Sequence, residues 1–177
     1  MTNDTIKSIA TRRSNRAFTS ERIPNEIVKQ IADTAVLAPC GMNTQKWHFV
    51  VINKQEIVED LYTMIRAKLG RGDDYNFYGA TSLIIAAYDK DNRFGENDCS
   101  CALQNMFLAA ESLGISSVWI NQLKDVQGDS EFDTYMSNLG LPANYKICGT
   151  CALGYRAEGA TNTPTPKNTS CYSYNLD

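Results

Sequence analysis

Arg12, Arg13, Ser14 and Arg16 fall within five consecutive residues of a 177-residue chain. Guanidinium groups bind phosphate through paired, charge-assisted hydrogen bonds, and a neighbouring serine hydroxyl adds another. Three guanidinium groups this close repel one another unless an anion or carboxylates compensate. The segment therefore either grips a phosphate or lies as a solvated loop whose arginines pair with surface acids. A second stretch, Ala38-Pro39-Cys40-Gly41-Met42-Asn43-Thr44-Gln45-Lys46-Trp47, is rich in amide side chains and leads directly into an apolar run.

Six cysteines offer a different chemistry. Cys99-x-Cys101 and Cys148-x-x-Cys151 invite a metal or redox reading. The first spacing is one residue short of a zinc knuckle, and His48 is the only histidine. A thioredoxin-like pair should open a helix after a strand. Cys148 and Cys151 instead lead into Ala152-Leu153-Gly154-Tyr155, which continues a strand. Free thiols in a reducing compartment are the simpler expectation, and no metal site is expected. His48 sits in the run Trp47-His48-Phe49, where packing accounts for it better than acid–base duty. Tyr75, Phe77 and Tyr78 could cover a ring or simply plug the core.

The elements that must position these residues alternate irregularly. Helical period predicts helices over 3–11, 24–37, 54–69 and 98–113, and a shorter one opened by Ser130-Glu131-Phe132-Asp133 and ending at Gly140. Asn3 and Asp98 are the predicted caps, and Gly70 and Gly114 the predicted stops. Strands are predicted over 47–52, 82–88, 116–120 and 145–155. Residues 70–79 read as a loop. The chain is expected to be a single domain spanning 1–177, with an extended tail over 159–177. The irregular order favours an α+β fold over a regular parallel α/β sheet.

Bulk properties exclude several classes. Net charge is −3 with a pI near 5.2, so the positive charge is local and suits one small anionic ligand better than nucleic acid. No apolar run reaches the length of a membrane span, and the N-terminus lacks a signal-peptide pattern, so a cytoplasmic location is expected. No strand–Gly-x-Gly-x-x-Gly–helix unit or P-loop is present, so no separate dinucleotide-binding domain is expected.

Four blocks in order resemble the nitroreductase family. They are Arg12-Arg13-Ser14-Asn15-Arg16-Ala17-Phe18, the stretch Ala38 to Val51, the stretch Asp98 to Ile120, and Ala152-Leu153-Gly154-Tyr155. Together they cover nearly the whole chain. The resemblance implies a central mixed, mainly antiparallel sheet flanked by helices, and a homodimer with FMN at the subunit interface. Arg12 would bind the FMN phosphate. Arg13 and Ser14 would contact the phosphate, the ribityl chain or the ring edge. Arg16 would sit near flavin N1 and the C2 carbonyl, where a fixed cation stabilises the reduced ring. Pro39, Cys40, Gly41 and Asn43 would reach the cofactor from the partner subunit. Asn76 would line the pyrimidine edge. Asn121 and Gln122 would place backbone groups near N5 and O4, and Lys167 would be a second phosphate cation. The chain departs from the family pattern in lacking glycine at 121–122 and a paired base beside Lys167, and in being short.

The implied activity is an FMN-dependent oxidoreductase. NAD(P)H would give a hydride to flavin N5, and a nitroaromatic, quinone or other electron-poor acceptor would take it in a ping-pong cycle. No side chain need act as nucleophile or base. Other superfamily reactions, dehalogenation and dehydrogenation, share the scaffold. Two rivals come from other classes: a non-catalytic flavin-binding sensor or carrier, and a redox or metal protein built on the close cysteine pairs.

Overall fold

Strand β2 (Ser82–Asp89) shows how the sheet is covered. Leu83, Ile85 and Ala87 point into one core and Ile84 and Ala86 into another, and all five are fully buried. A strand apolar on both faces needs a helical layer on each. The structure, a computed structural model, describes residues 3–160 together with Lys167 and Ser173. Strands β1 (Trp47–Ile52), β3 (Ser116–Ile120) and β4 (Tyr145–Gly154) complete a sheet of order β1-β2-β4-β3 in which every neighbouring pair is antiparallel. Helices α2 (Asn25–Asp33) and α4 (Gly95–Ser112) cover one face; α3 (Gln55–Leu69), α5 (Gln122–Val126) and α6 (Ser130–Asn138) cover the other. Helix α1 (Asp4–Thr11) buries no residue and lies against α4. The α+β architecture with helices flanking a mainly antiparallel sheet is thus as expected. Among the described residues its parallel component is a single bridge, Ser14 to Ser117.

Several boundaries follow their chemistry. Asn3 caps α1 by accepting the Ile6 N–H at 3.0 Å. Helix α3 stops at Gly70, which takes the left-handed conformation at φ 59° that a side chain resists. Others correct the sequence reading. Helix α2 stops at Asp33 and gives way to a short 3-10 turn over Ala35–Leu37, because Thr34 bonds back to the Ile31 carbonyl and Ala38 must be extended before Pro39. Helix α4 starts at Gly95, not Asp98. Gly95 packs where a side chain would strike the Tyr88 ring, and Asp98 lies buried inside the helix. Asp129, not Ser130, caps α6, accepting the N–H groups of Glu131 and Phe132. Helix α5 was not predicted.

The β2–β4 register slips between Ala86 and Ala87: Ala86 faces Gly149 and Ala87 faces Ile147, leaving Cys148 as the extra residue of a bulge. The slip turns Cys148 onto the α4 face, in the same core as Cys151. His48 packs edge-on to the Tyr145 ring at 6.0 Å. Among the described residues no helix is long and apolar enough to cross a membrane.

Candidate functional site

The arginine segment leaves α1 at Arg12 in an extended conformation (ψ 132°). Four backbone hydrogen bonds stitch it down. The Asn15 N–H donates to the Ser117 carbonyl at 2.9 Å, and Phe18 N–H donates to the Tyr78 carbonyl at 3.1 Å. Thr19 N–H donates to the Tyr155 carbonyl, and Ala17 C=O accepts from Ala157 N–H. The segment is thus laid across the start of β3, the end of β4 and the 77–79 turn. Phe18 is buried there, against Gly154, which has no room for a side chain.

Extended backbone sends successive side chains to opposite sides. Arg13 and Asn15 line a cavity on one side, and Arg12, Ser14 and Arg16 do not. The structure therefore sets Arg13 apart from the other three. Its Nη1 donates to the carbonyls of Ala10 (2.7 Å) and Arg12 (2.8 Å), closing the C-terminal end of α1. Among the described residues neither Arg12 nor Arg16 takes part in a salt bridge.

The amide-rich stretch is strained. Met42, Asn43 and Gln45 all have positive φ, at 56°, 53° and 49°. Each non-glycine residue held there costs roughly 1–3 kcal/mol, and such residues collect at ligand sites. Among the contacts that hold the shape, the buried Asp98 carboxylate accepts the Gly41 N–H at 2.9 Å, and Cys40 Sγ accepts the Gln45 N–H at 3.4 Å. Gly41 is required because the Phe94 ring occupies the space a Cβ would need. Pro39 and Asn43 are exposed and Met42 is 86% exposed.

Asn76 lies beside the arginine segment, since the turn it opens carries the Tyr78 carbonyl that binds Phe18. Its Oδ1 accepts the Gly79 N–H at 3.1 Å, so its amide N–H groups face outward. Phe77 is buried against Tyr62 and Tyr75, a core role, whereas Tyr78 is 41% exposed. Asn121 and Gln122 follow β3. Asn121 Oδ1 accepts the Trp119 indole N–H at 2.6 Å. Lys167 is exposed.

The two segments sit at opposite ends of α4. Asp98, in its first turn, holds Gly41. Glu111, in its last, shares a cavity with Arg13. The thirteen residue steps from one to the other span roughly 20 Å at 1.5 Å each. One chain does not bring Arg12 and Cys40–Asn43 together.

The cysteines pair across the motifs rather than within them. Cys101 is exposed on α4, while Cys99 meets Cys148 across the α4–β4 interface. Hydrogen bonding from Cys99, and then from Ser100 at 3.7 Å, pulls the Cys148 thiol below its ordinary value against the effect of burial. The same contact and burial push Cys99 up. Cys151 is pushed up by burial alone. Among the described residues no three metal-ligating side chains cluster.

Asp98 and Asn15 were missed from sequence. Asp98 reads as a cap, and Asn15 occupies the variable position of its motif; neither carries a signal of its contact.

Comparison with known proteins identifies the family and the fold. The family model described as the nitroreductase family matches residues 9–155. A crystal structure of a nitroreductase with bound FMN from Bacteroides fragilis superposes with a TM-score of 0.90 at 34% identity, covering 98% of this chain and 99% of that one. A nitroreductase with bound FMN from Desulfitobacterium hafniense gives 0.87 at 29% identity, covering 98% and 99%. A protein of Methanothermobacter thermautotrophicus, provisionally named NADH dehydrogenase/NAD(P)H nitroreductase, is 31% identical over 167 residues, which is 88% of this chain and 78% of that one.

Proposed function

The chain belongs to the nitroreductase family, and from that premise we propose that it is an FMN-dependent oxidoreductase working as a homodimer. NAD(P)H is the diffusible hydride donor, and a nitroaromatic, quinone or other electron-poor compound is the acceptor. What supports this reading is that Arg12, Ser14 and Arg16, two guanidinium groups and a hydroxyl, alternate along a pinned segment with the cavity-lining Arg13 and Asn15, and that neither arginine has a carboxylate partner among the described residues. That donor set fits a phosphate monoester and the electron-rich edge of a flavin.

When bound, FMN supplies the redox chemistry, accepting a hydride from the nicotinamide and passing it to the acceptor in alternating half-reactions. The chain supplies binding, orientation and charge. Arg12 and Ser14 hold the phosphate end, with Lys167 as a second cation. Arg16 places a fixed positive charge beside the ring edge where negative charge develops on reduction. Asn76, its Oδ1 occupied, offers only N–H donors to the ring's carbonyls. Asn121 and Gln122 contribute through the backbone at the end of β3. Arg13 serves α1 instead.

The homodimer rests on α4. Its outward side carries Asn97, Cys101, Gln104 and Leu108, and its neighbours expose Ile6, Ile9, Val36, Leu37 and Met42. An apolar surface flanking a long helix suits a two-fold interface. Two α4 helices packed antiparallel would set one chain's Pro39–Asn43 loop beside the other's arginine segment, joining what a single chain holds apart. The five described cysteines are free, which supports a reducing, cytoplasmic setting.

Purified protein should be yellow with flavin absorption and run as a dimer. NADH or NADPH, added anaerobically, should bleach it, and an electron-poor acceptor should restore the colour. A protein that binds FMN but is bleached by neither donor is a carrier, and the catalytic reading fails.

A further inference from the structure

The Trp119 indole lies flat on the neighbouring strand. A Cβ at Gly149 would come within 2.5 Å of its Nε1, so that glycine makes the seat. The Phe107 ring packs beside it, with centroids 6.0 Å apart. From this seat the indole N–H donates to Asn121 Oδ1 at 2.6 Å. An indole nitrogen only donates, so the contact fixes which end of the amide is oxygen. Asn121 is exposed, and among the described residues its Nδ2 donates to nothing. Asn121 also precedes α5, where an asparagine oxygen ordinarily accepts a helix N–H, yet its side chain caps nothing. The side chain forgoes the cap for the indole and presents two N–H donors outward.

The arginine segment shows which end of a bound flavin these donors meet. Ser14 bridges Ser117 in parallel, so the segment from Arg12 to Arg16 runs the same way as β3. Arg16 lies two residues past that bridge, roughly 7 Å along, and Asn121 four residues past it, roughly 13 Å along. Asn121 therefore comes at the Arg16 end of the segment and beyond it. With the phosphate at Arg12, that is the ring end.

We propose, resting on the FMN reading above, that the Asn121 side-chain amide donates to the ring edge carrying N5 and the C4 carbonyl. Trp119 is the positioning residue that aims it. Reduction makes the ring electron-rich, and a fixed donor there binds the reduced form more tightly than the oxidised one. The pair thus raises the potential at which the flavin accepts a hydride.

The test is the midpoint potential of FMN bound to the purified holoprotein, measured against a reference dye. Asn121→Ala, at an exposed position, should shift the balance about tenfold away from the reduced form, the scale of a hydrogen bond to a charged group; for a two-electron couple that is about 30 mV more negative. Asn121→Asp keeps the indole contact and turns an oxygen towards the ring, so it should lower the potential further. Trp119→Phe leaves Asn121 in place but frees its amide, and should reproduce part of the Asn121→Ala shift. Added to Asn121→Ala, it should change nothing more. An unchanged potential in Asn121→Ala, an Asn121→Asp potential at or above the natural one, or a Trp119→Phe shift that persists in full without Asn121 would each overturn the proposal while leaving FMN binding intact. A protein that takes up no FMN would overturn the flavin reading itself.

Discussion

The Asp98 carboxylate, buried in the first turn of α4, accepts the backbone N–H of Gly41 at 2.9 Å across 57 residues of sequence. Asn92 adds a donor to the other oxygen at 3.3 Å. One charged acceptor thus sets the position of a loop that holds three non-glycine residues at positive φ. Asp98→Ala leaves the Gly41 N–H without a partner and should cost about 1–3 kcal/mol. The loop relaxes as its anchor goes, so FMN affinity should fall with stability. Asp98→Asn keeps an acceptor and should lose less of both. Fluorescence titration with FMN beside thermal melting checks this; an Asp98→Ala protein that is less stable but binds FMN as tightly as before would separate the loop from the cofactor.

The alternation at residues 12–16 divides the arginines. Arg12→Ala should weaken FMN binding by about 1.5–3 kcal/mol, the range for hydrogen bonds to a charged group. Arg13→Ala should act chiefly on stability, at about 1 kcal/mol, because its Nη1 closes α1. Flavin content of the two purified variants tells them apart. Equal losses of flavin would return Arg13 to the phosphate.

Local chemistry was legible in the sequence and long-range commitments were not. The two-faced apolar run of β2, the Asn3 cap and the Gly70 stop each follow from residue type, and each stands where the pattern put it. Asp98 has the composition of a cap, and only the distant Gly41 amide explains why it sits inside a helix instead. Helix α5 is five residues long, too short for a period to register. The Cys148 bulge depends on pairing with a strand some sixty residues earlier, so Cys148-x-x-Cys151 could not reveal that Cys148 faces Cys99. At the site, the arginine motif could be read as an anion grip or a solvated loop, while the alternation that sets Arg13 and Asn15 against a cavity needed the bridge to Ser117.

Because the arginine segment and the 39–43 loop occupy opposite ends of α4, mixed dimers should complement. On the proposed reading, Arg12→Ala removes the phosphate grip. Gly41→Leu drives a side chain into the Phe94 ring and displaces the loop. Each variant alone should bind FMN poorly at both sites. A dimer with one chain of each type contains one site with both segments intact, so co-expression with different affinity tags should recover about one tightly bound flavin per mixed dimer. No recovery would mean that both segments act on the same chain's flavin.

Tyr135 gives the fold an alkaline limit. Burial, then the hydrogen bond its hydroxyl donates to Asp60 at 2.9 Å, raises its pKa from an ordinary 10 to about 12. A raised value in the folded state means that the neutral phenol is favoured there. Its stabilisation is complete below pH 10 and is lost as pH rises towards 12. Denaturant unfolding across that window should show a steeper decline for the natural protein than for Tyr135→Phe, which has no phenol to ionise. Parallel slopes would remove Tyr135 from the account.

The cysteine pairs provide the last contrast. Cys148 sits in the bulge with Ser100 Oγ and the Glu96 carbonyl each at 3.7 Å. A serine there finds partners, so Cys148→Ser should cost little. Cys151 is fully buried with no hydrogen-bond partner among the described residues, and its thiol is pushed up by the apolar surroundings. A serine hydroxyl at 151 goes unpaired and should cost about 1–3 kcal/mol. Stability should therefore divide the two variants. Activity should not: once folded, both should be bleached by NAD(P)H and reoxidised by acceptor at the natural rate, because FMN and not sulfur carries the electrons. Loss of turnover in a folded, flavin-loaded Cys148→Ser protein would bring the thiols back into the chemistry.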